Sequence, residues 1–284
     1  MYLINMIVVH RPMNKYLGLF RPVNCVMGVI GVLVACFMAA GTGVVDHLVE
    51  LTIIAVVVFL FIAGGNALND SIDAEIDKVA HPERPIPSGK MTVRTARNLG
   101  VGFLVLSVAI SLLTRDVWCI AVVVVADVLM FSYEMFLKQR GFVGNVTIAV
   151  LTGMVFLLGS AAMSDIMDNA IVAAMACLVS IGREISKDIE DMEGDEGRST
   201  LPMRIGTRNA SVVAAVFFIA GPILSVIPMI QGTYSVLYYF MIVADALFVY
   251  AAGIVFKDPH KGQKTAKFGM IAGLVSFILG AISV

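Results

Sequence analysis

Nine long apolar stretches, each near the length needed to cross a bilayer, constrain this chain more than any other feature. They run at roughly 17–40, 49–69, 95–114, 117–137, 143–163, 167–187, 209–230, 235–256 and 265–284, and a spanning helix needs about 20 such residues. Composition agrees: 59% of residues are hydrophobic, only 14% are charged and the mean hydropathy is +0.91, whereas a soluble domain carries roughly 25% charged residues. The expected fold is an all-α integral membrane protein. Its nine transmembrane helices form one bundle, built from two similar four-helix halves (about 1–140 and 141–256) plus a last helix at 265–284.

Charge sets the orientation. Of the 20 Lys and Arg residues, only Arg115 falls on the side opposite the N-terminus when the stretches are threaded alternately through a bilayer. The excess of cations marks the cytoplasmic side, so the reading is N-in and C-out. No cleavable signal peptide is expected, because the first apolar stretch is too long for one. Cys25, Cys36, Cys119 and Cys177 stand singly within apolar stretches, without ligand spacing, and read as small buried hydrophobes.

Two acidic runs interrupt the pattern, both spelled D-x-x-D-x-x-x-D. The first is Asp70, Asp73 and Asp77, preceded by Asn66 and Asn69; the second is Asp188, Asp191 and Asp195, preceded by Glu184. On a helix turning about 100° per residue, such offsets fall near 0°, −60° and −20°, one narrow stripe. Asn66 and Glu184 hold equivalent positions on their stripes. The runs lie 118 residues apart, each at the cytoplasmic end of an apolar stretch and each followed by an irregular polar loop, about 78–94 and 194–208. Three prolines, Pro82, Pro85 and Pro87, exclude a continuous helix through the first loop. Both loops are long enough to act as lids over a site.

Carboxylates stacked this way repel one another, and they sit at helix C-termini, where the macrodipole already disfavours negative charge. A single acidic run at a membrane surface is most often a solvated cap. Two of identical spacing at equivalent places ask instead for a counter-ion. Hard divalent cations, Mg²⁺ above all, take carboxylate oxygens and keep substrate phosphates as further ligands. Basic side chains accompany the runs: Arg84 and Lys90, Lys138 and Arg140, then Arg183, Lys187 and Arg198. An interfacial headgroup site above an apolar bundle suits a polyprenyl diphosphate. No Gly-rich phosphate loop is present, and no nucleic-acid partner is expected. The 1, 4, 8 spacing also excludes an EF-hand.

Asp127 and Asp245 lie within apolar stretches. Intramembrane carboxylates mark function by default, or bond to a neighbouring helix. Tyr133, shortly before Lys138, suits either an interfacial aromatic belt or a contact to phosphate.

Asn69-Asp-x-x-Asp73-x-x-x-Asp77 resembles the first motif of the UbiA-type intramembrane prenyltransferases, and Asp188-x-x-Asp191-x-x-x-Asp195 resembles their second. The resemblance covers nearly the whole chain. Arg21-Pro22-Val23-Asn24, the loop His81 to Gly89, and Arg183 to Asp195 followed by Thr200-Leu-Pro202 are similar to the branch that makes archaeal ether lipids. The Tyr-Ala-x-x-Asp arrangement frequent in the quinone-forming branch is absent.

The resemblance implies transfer of a geranylgeranyl group from its diphosphate to the sn-2 hydroxyl of geranylgeranylglyceryl phosphate. It implies Mg²⁺ held by Asp70, Asp73, Asp77, Asp188, Asp191 and Asp195, which are also the catalytic set. Asn66, Asn69, Arg84, Tyr133, Lys138, Arg183 and Lys187 would contact the diphosphate or phosphate. The partners implied are a polyprenyl diphosphate donor, a lipid-phosphate acceptor and the lipid bilayer, with the active site at the cytoplasmic face of the cell membrane. Two alternatives stand beside this reading: the same donor chemistry on an aromatic or chlorophyllide acceptor, and an ion or lipid transporter, whose site would lie deeper, near the bilayer midplane.

Overall fold

The computed structural model describes residues 14–163, 165–192 and 199–282. Every regular element in them is helical. The order is α1 (Lys15–Phe20), α2 (Pro22–Ala40), α3 (Leu48–Ile72), α4 (Ala74–Ala80), α5 (Val93–Ser111), α6 (Val117–Ser132), α7 (Phe142–Met163), α8 (Ala170–Asp191), α9 (Leu201–Ile205), α10 (Thr207–Gln231), α11 (Met241–Ile254) and α12 (Pro259–Ile282). Local chemistry sets several of the starts. Pro22 opens α2, where its missing N–H costs nothing. Thr92 and Asp116 cap α5 and α6 by accepting from the amides of Thr95 and Cys119.

The expected nine spans are corrected to seven. Among the described residues, seven helical stretches are long and apolar enough to cross a membrane. Two of the expected boundaries fail. Pro22–Ile72 counts as one helical stretch of 51 residues, because the connection Gly41–His47 is itself 3-10 helix; Gly41, at φ 56°, turns the chain there so that Gly28 of α2 packs against Val58 and Ile62 of α3. The other is α8, whose stretch from Arg183 to its end carries Arg183, Glu184, Lys187, Asp188, Glu190 and Asp191, so no apolar stretch of spanning length remains. The multi-pass, all-helical membrane architecture itself stands. Large apolar side chains such as Ile223, Ile230 and Val236 stay exposed on the outside of the bundle, where a bilayer and not water is the compatible solvent.

Two apolar cores fill the interior. One lies among α7, α8, α10, α11 and α12 around Phe218, Tyr238 and Met241; the other lies among α2, α3, α6 and α7 around Val32, Ile54 and Val57. The helix carrying the first acidic run is locked from one side by a close backbone approach. A Cβ on Gly100 of α5 would meet the Leu68 amide nitrogen at 2.8 Å and the Gly64 carbonyl at 3.0 Å. The matching contact on α8 involves Gly182, where a Cβ would meet the Ala214 carbonyl at 3.0 Å.

Gly64 and Gly182 are 118 residues apart, the spacing that separates the acidic runs. The two membrane-embedded carboxyls repeat it. Ser107 Oγ lies 2.9 Å from Asp127 Oδ2, tying α5 to α6, and Ser225 Oγ lies 2.8 Å from Asp245 Oδ2, tying α10 to α11. Both carboxyls therefore bond to a neighbouring helix, and both keep a second oxygen, Oδ1, buried without a partner.

Candidate functional site

The first acidic run does not follow one helix. α3 ends at Ile72, Asp73 adopts φ −82° and ψ 9°, and α4 restarts at Ala74. This turn distributes the three carboxylates between two ion-pair groups. Asp70, only 1% exposed, pairs with Arg21, and Arg84 reaches it at 3.7 Å. Arg84 also donates to both oxygens of Asp77, at 2.7 and 2.6 Å. Asp73 pairs with Lys138. Each carboxylate of the run is thus held by a basic side chain from another segment, which offsets the mutual repulsion expected from the spacing.

Backbone geometry brings those cations in. Arg21 sits between α1 and α2 at φ 49°, a left-handed conformation unusual for a non-glycine residue and doubly so before proline. Its ion pair with Asp70 is what the strain accompanies. Arg84 comes from the proline-rich loop, which is folded by backbone bonds such as Met91 N to Pro85 O at 3.0 Å. Buried Met91 packs the loop into a small core with Leu19, Ala67 and Ala96. Lys138 follows Tyr133–Leu137, a single π-helical turn closed by its own amide donating to the Tyr133 carbonyl at 2.9 Å. Such turns occur mostly at functional positions.

The second run ends α8. Asp188 accepts from Asn145 Nδ2 at 2.8 Å, and Asn145 lies in the first turn of α7, which packs against the π turn. That chain of contacts sets both runs at one end of the bundle. Arg183 pairs with Glu184 and keeps its Nε buried without a partner, while Lys187 is exposed. Asn66 Nδ2 donates to the Phe20 carbonyl at 3.0 Å and so braces the Arg21 turn. Asn69 Nδ2 lies 3.2 Å from both oxygens of Glu134, and Tyr133 is half-buried. Asp195 and Arg198 lie outside the described residues, as does part of the expected lid at 194–208.

Three residues of this arrangement were not among the candidates drawn from sequence. Arg21 was visible only as part of the Arg21–Asn24 segment that carries the resemblance. Asn145 was visible only as one amide in an apolar stretch. Glu134 carried one local signal, its position four residues before Lys138.

The donor set suits a hard divalent cation in kind. Asp70 Oδ2 is buried without a hydrogen-bond partner, and a carboxylate oxygen is the ligand type that Mg²⁺ takes. Among the described residues, no three acidic, His or Cys side chains already converge on one point. Arg21, Arg84 and Lys138 hold the carboxylates instead, so an ion would gather them by exchange with those cations.

An apolar cavity of about 320 Å³ lies deeper in the bundle, lined among others by Gly31 of α2, Thr152 of α7, Val179 of α8 and Gly273 of α12. At about 1.5 Å per residue, Val179 is roughly 14 Å below Asp188 along α8, and Thr152 roughly 10 Å below Asn145 along α7. The helices that end in the polar site therefore also wall the cavity.

Comparison with known proteins fits this geometry. The model of the UbiA prenyltransferase family matches residues 28–278. The chain is 35% identical to the digeranylgeranylglyceryl phosphate synthase of Methanosphaera stadtmanae over 280 residues, covering 95% of this chain and all of that one. It is 34% identical to the synthase of the same name from Thermococcus kodakarensis over 277 residues, covering 95% and 98%. A solved structure described as giving mechanistic insights into digeranylgeranylglyceryl phosphate synthase superposes with a TM-score of 0.85 at 32% identity, covering 96% and 99%. A UbiA homolog from Archaeoglobus fulgidus, bound to DMAPP and Mg²⁺, shares the fold with a TM-score of 0.66 at 17% identity, covering 95% and 100%.

Proposed function

The chain belongs to the UbiA prenyltransferase family, and on that premise we propose that it transfers a geranylgeranyl group from its diphosphate to the sn-2 hydroxyl of geranylgeranylglyceryl phosphate. The product carries the second ether bond of an archaeal membrane lipid. The observation that carries this reading is the end-to-end similarity to digeranylgeranylglyceryl phosphate synthases, joined to a carboxylate and cation site above an apolar cavity.

The roles follow from the pairs. Asp70, Asp73 and Asp77 on one side and Asp188, Asp191 and Asp195 on the other would hold Mg²⁺. When bound, the metal neutralises charge that gathers on the departing diphosphate. Arg21, Arg84 and Lys138, with Arg183 and Lys187 of α8, would contact phosphate oxygens of the bound diphosphate. The 320 Å³ cavity takes the isoprenoid tail and excludes water from the allylic carbon. The bond from C1 to the diphosphate oxygen breaks, the bond from C1 to the acceptor oxygen forms, and the hydroxyl proton passes to the departing diphosphate.

The site belongs at the cytoplasmic face, because the cations of the loops gather at the same end as the acidic runs. The matched spacing of Gly64 and Gly182, Ser107 and Ser225, and Asp127 and Asp245 supports an internal duplication relating about 1–140 to 141–256. Asp70→Asn, which removes the charge while keeping the volume, tests the metal assignment. Prenyl transfer should fall by more than about 100-fold, as for loss of a group acting in the transition state, and retained activity would refute it.

A further inference from the structure

Glu134 is buried in the π turn, 7% exposed, and the donor site leaves its carboxylate without a chemical role. All of its side-chain partners are donors. Asn69 Nδ2 lies 3.2 Å from each of its oxygens, and Lys138 Nζ lies 3.4 Å from Oε2. Asn69 neighbours Asp70 in the first run, and Lys138 is the cation of Asp73. Glu134 is therefore the common anchor of two groups that flank the acidic set.

We infer that Glu134 is a positioning residue for prenyl transfer: it keeps the Lys138 ammonium and the Asn69 amide in place when Asp73 is drawn from Lys138 to a metal-bound diphosphate. The inference rests on the proposed function. Before the exchange, Lys138 has two anions, Asp73 and Glu134. With Asp73 drawn away, Glu134 is the protein anion that remains to fix where the largely buried ammonium meets phosphate. Glu134 and Lys138 stand four residues apart, the order Glu before Lys that favours pairing. Lys138 caps the π turn, its amide donating to the Tyr133 carbonyl at 2.9 Å, so the scaffold braces the lysine. The same carboxylate fixes the Asn69 amide, since an acceptor-only group can face only its NH₂ end. The carbonyl oxygen of Asn69 is then the end left for an electropositive partner.

The test is steady-state transfer kinetics with geranylgeranyl diphosphate, geranylgeranylglyceryl phosphate and Mg²⁺, on purified wild type, Glu134→Gln, Lys138→Ala, the double variant and Asp70→Asn. Glu134→Gln keeps the volume and removes the charge. It should lower kcat by about 10–100-fold, the usual effect of losing a group that orients a ligand-binding residue. The donor KM should stay within about 3-fold, because ground-state binding is spread over the other cations. Added to Lys138→Ala, it should cost less than about 2-fold more, as for two residues acting as one unit. Glu134→Asp, which keeps the carboxylate, should hold kcat within about 10-fold of wild type, which keeps the inference testable if the glutamine variant does not fold. A Glu134→Gln kcat within 2-fold of wild type, or a loss fully additive with Lys138→Ala and tracking a lowered melting temperature, overturns the inference. If wild type is active and Asp70→Asn is not, that failure leaves the proposed function standing. Absence of product and of Mg²⁺-dependent diphosphate binding in wild type overturns both.

Discussion

Replacing Gly31 with leucine tests whether the apolar cavity holds the isoprenoid tail. Of the glycines that line it, Gly28 and Gly221 cannot take a side chain without displacing Ile62 or Val179, whereas a Cβ on Gly31 meets nothing nearer than Val155 Cγ1 at 3.8 Å. That is ordinary van der Waals contact, so the backbone of α2 need not move and the new side chain occupies cavity space. Leucine adds four carbons. If they displace four methylene-sized groups of the donor tail, the loss is about 3 kcal/mol at about 0.8 kcal/mol per group. That corresponds to roughly 200-fold in kcat/KM. Farnesyl diphosphate, shorter by one isoprene unit, loses little. The assay is competition between geranylgeranyl and farnesyl diphosphate in one reaction, with both products quantified by mass spectrometry. The preference should move toward the shorter donor by up to that factor, and total activity with the shorter donor reports that the variant is folded. An unchanged preference in an active variant would place the tail elsewhere. Gly273→Leu, whose Cβ would lie 3.7 Å from Met241 Sδ, should give the same direction.

Arg84→Ala leaves buried Asp77 without the cation that holds it and removes one neighbour of Asp70; thermal melting should show a loss of up to about 3 kcal/mol, partly restored by Mg²⁺. At the interhelical clasp, Ser107 Oγ is 2.7 Å from the Leu104 carbonyl as well as 2.9 Å from Asp127. Asp127→Asn, which keeps an oxygen to accept from Ser107, should cost under about 1 kcal/mol, while Ser107→Ala should cost about 1–3 kcal/mol by leaving a buried polar group unpaired. At the end of α8, burial acts to raise the Glu190 carboxyl, but hydrogen bonds from His260 and Gln263, at 2.7 and 2.6 Å, and the charges of His260 and Lys267 hold it below its ordinary value of 4.5. A lowered folded value means stability present above pH 4.5 and lost as pH falls through the folded value. Melting temperatures measured from pH 6 to 3 should converge for wild type and Glu190→Gln at the acid end, with a difference of about 1 kcal/mol or less above it.

Much of this site could be read from residues alone because its parts are local. The D-x-x-D-x-x-x-D runs, their location at the ends of apolar stretches and the basic loops needed only spacing and hydropathy. The ion pairs did not follow from spacing. Arg21 meets Asp70 across 49 residues and Lys138 meets Asp73 across 65, distances over which sequence carries no geometric information. The helix break at Asp73 was equally hidden, since nothing in Ser71-Ile72-Asp73-Ala74 is a strong breaker. The span count erred for a related reason. Hydropathy marks apolar length, but it neither detects that the connection Gly41–His47 is itself 3-10 helix nor weighs the six charged residues that crowd the end of α8. Asp127 and Asp245 were visible as anomalies, while their serine partners, each 20 residues away, became evident only when α5 met α6 and α10 met α11.

The central claim is best tested by incubating the purified protein with geranylgeranyl diphosphate and geranylgeranylglyceryl phosphate, with Mg²⁺ and then with EDTA, and detecting products by mass spectrometry. The account predicts a doubly prenylated glycerol phosphate that forms with Mg²⁺ and disappears with EDTA. Diphosphate binding without that product would contradict the assigned acceptor, and product formation undiminished by EDTA would contradict the role given to the two acidic runs.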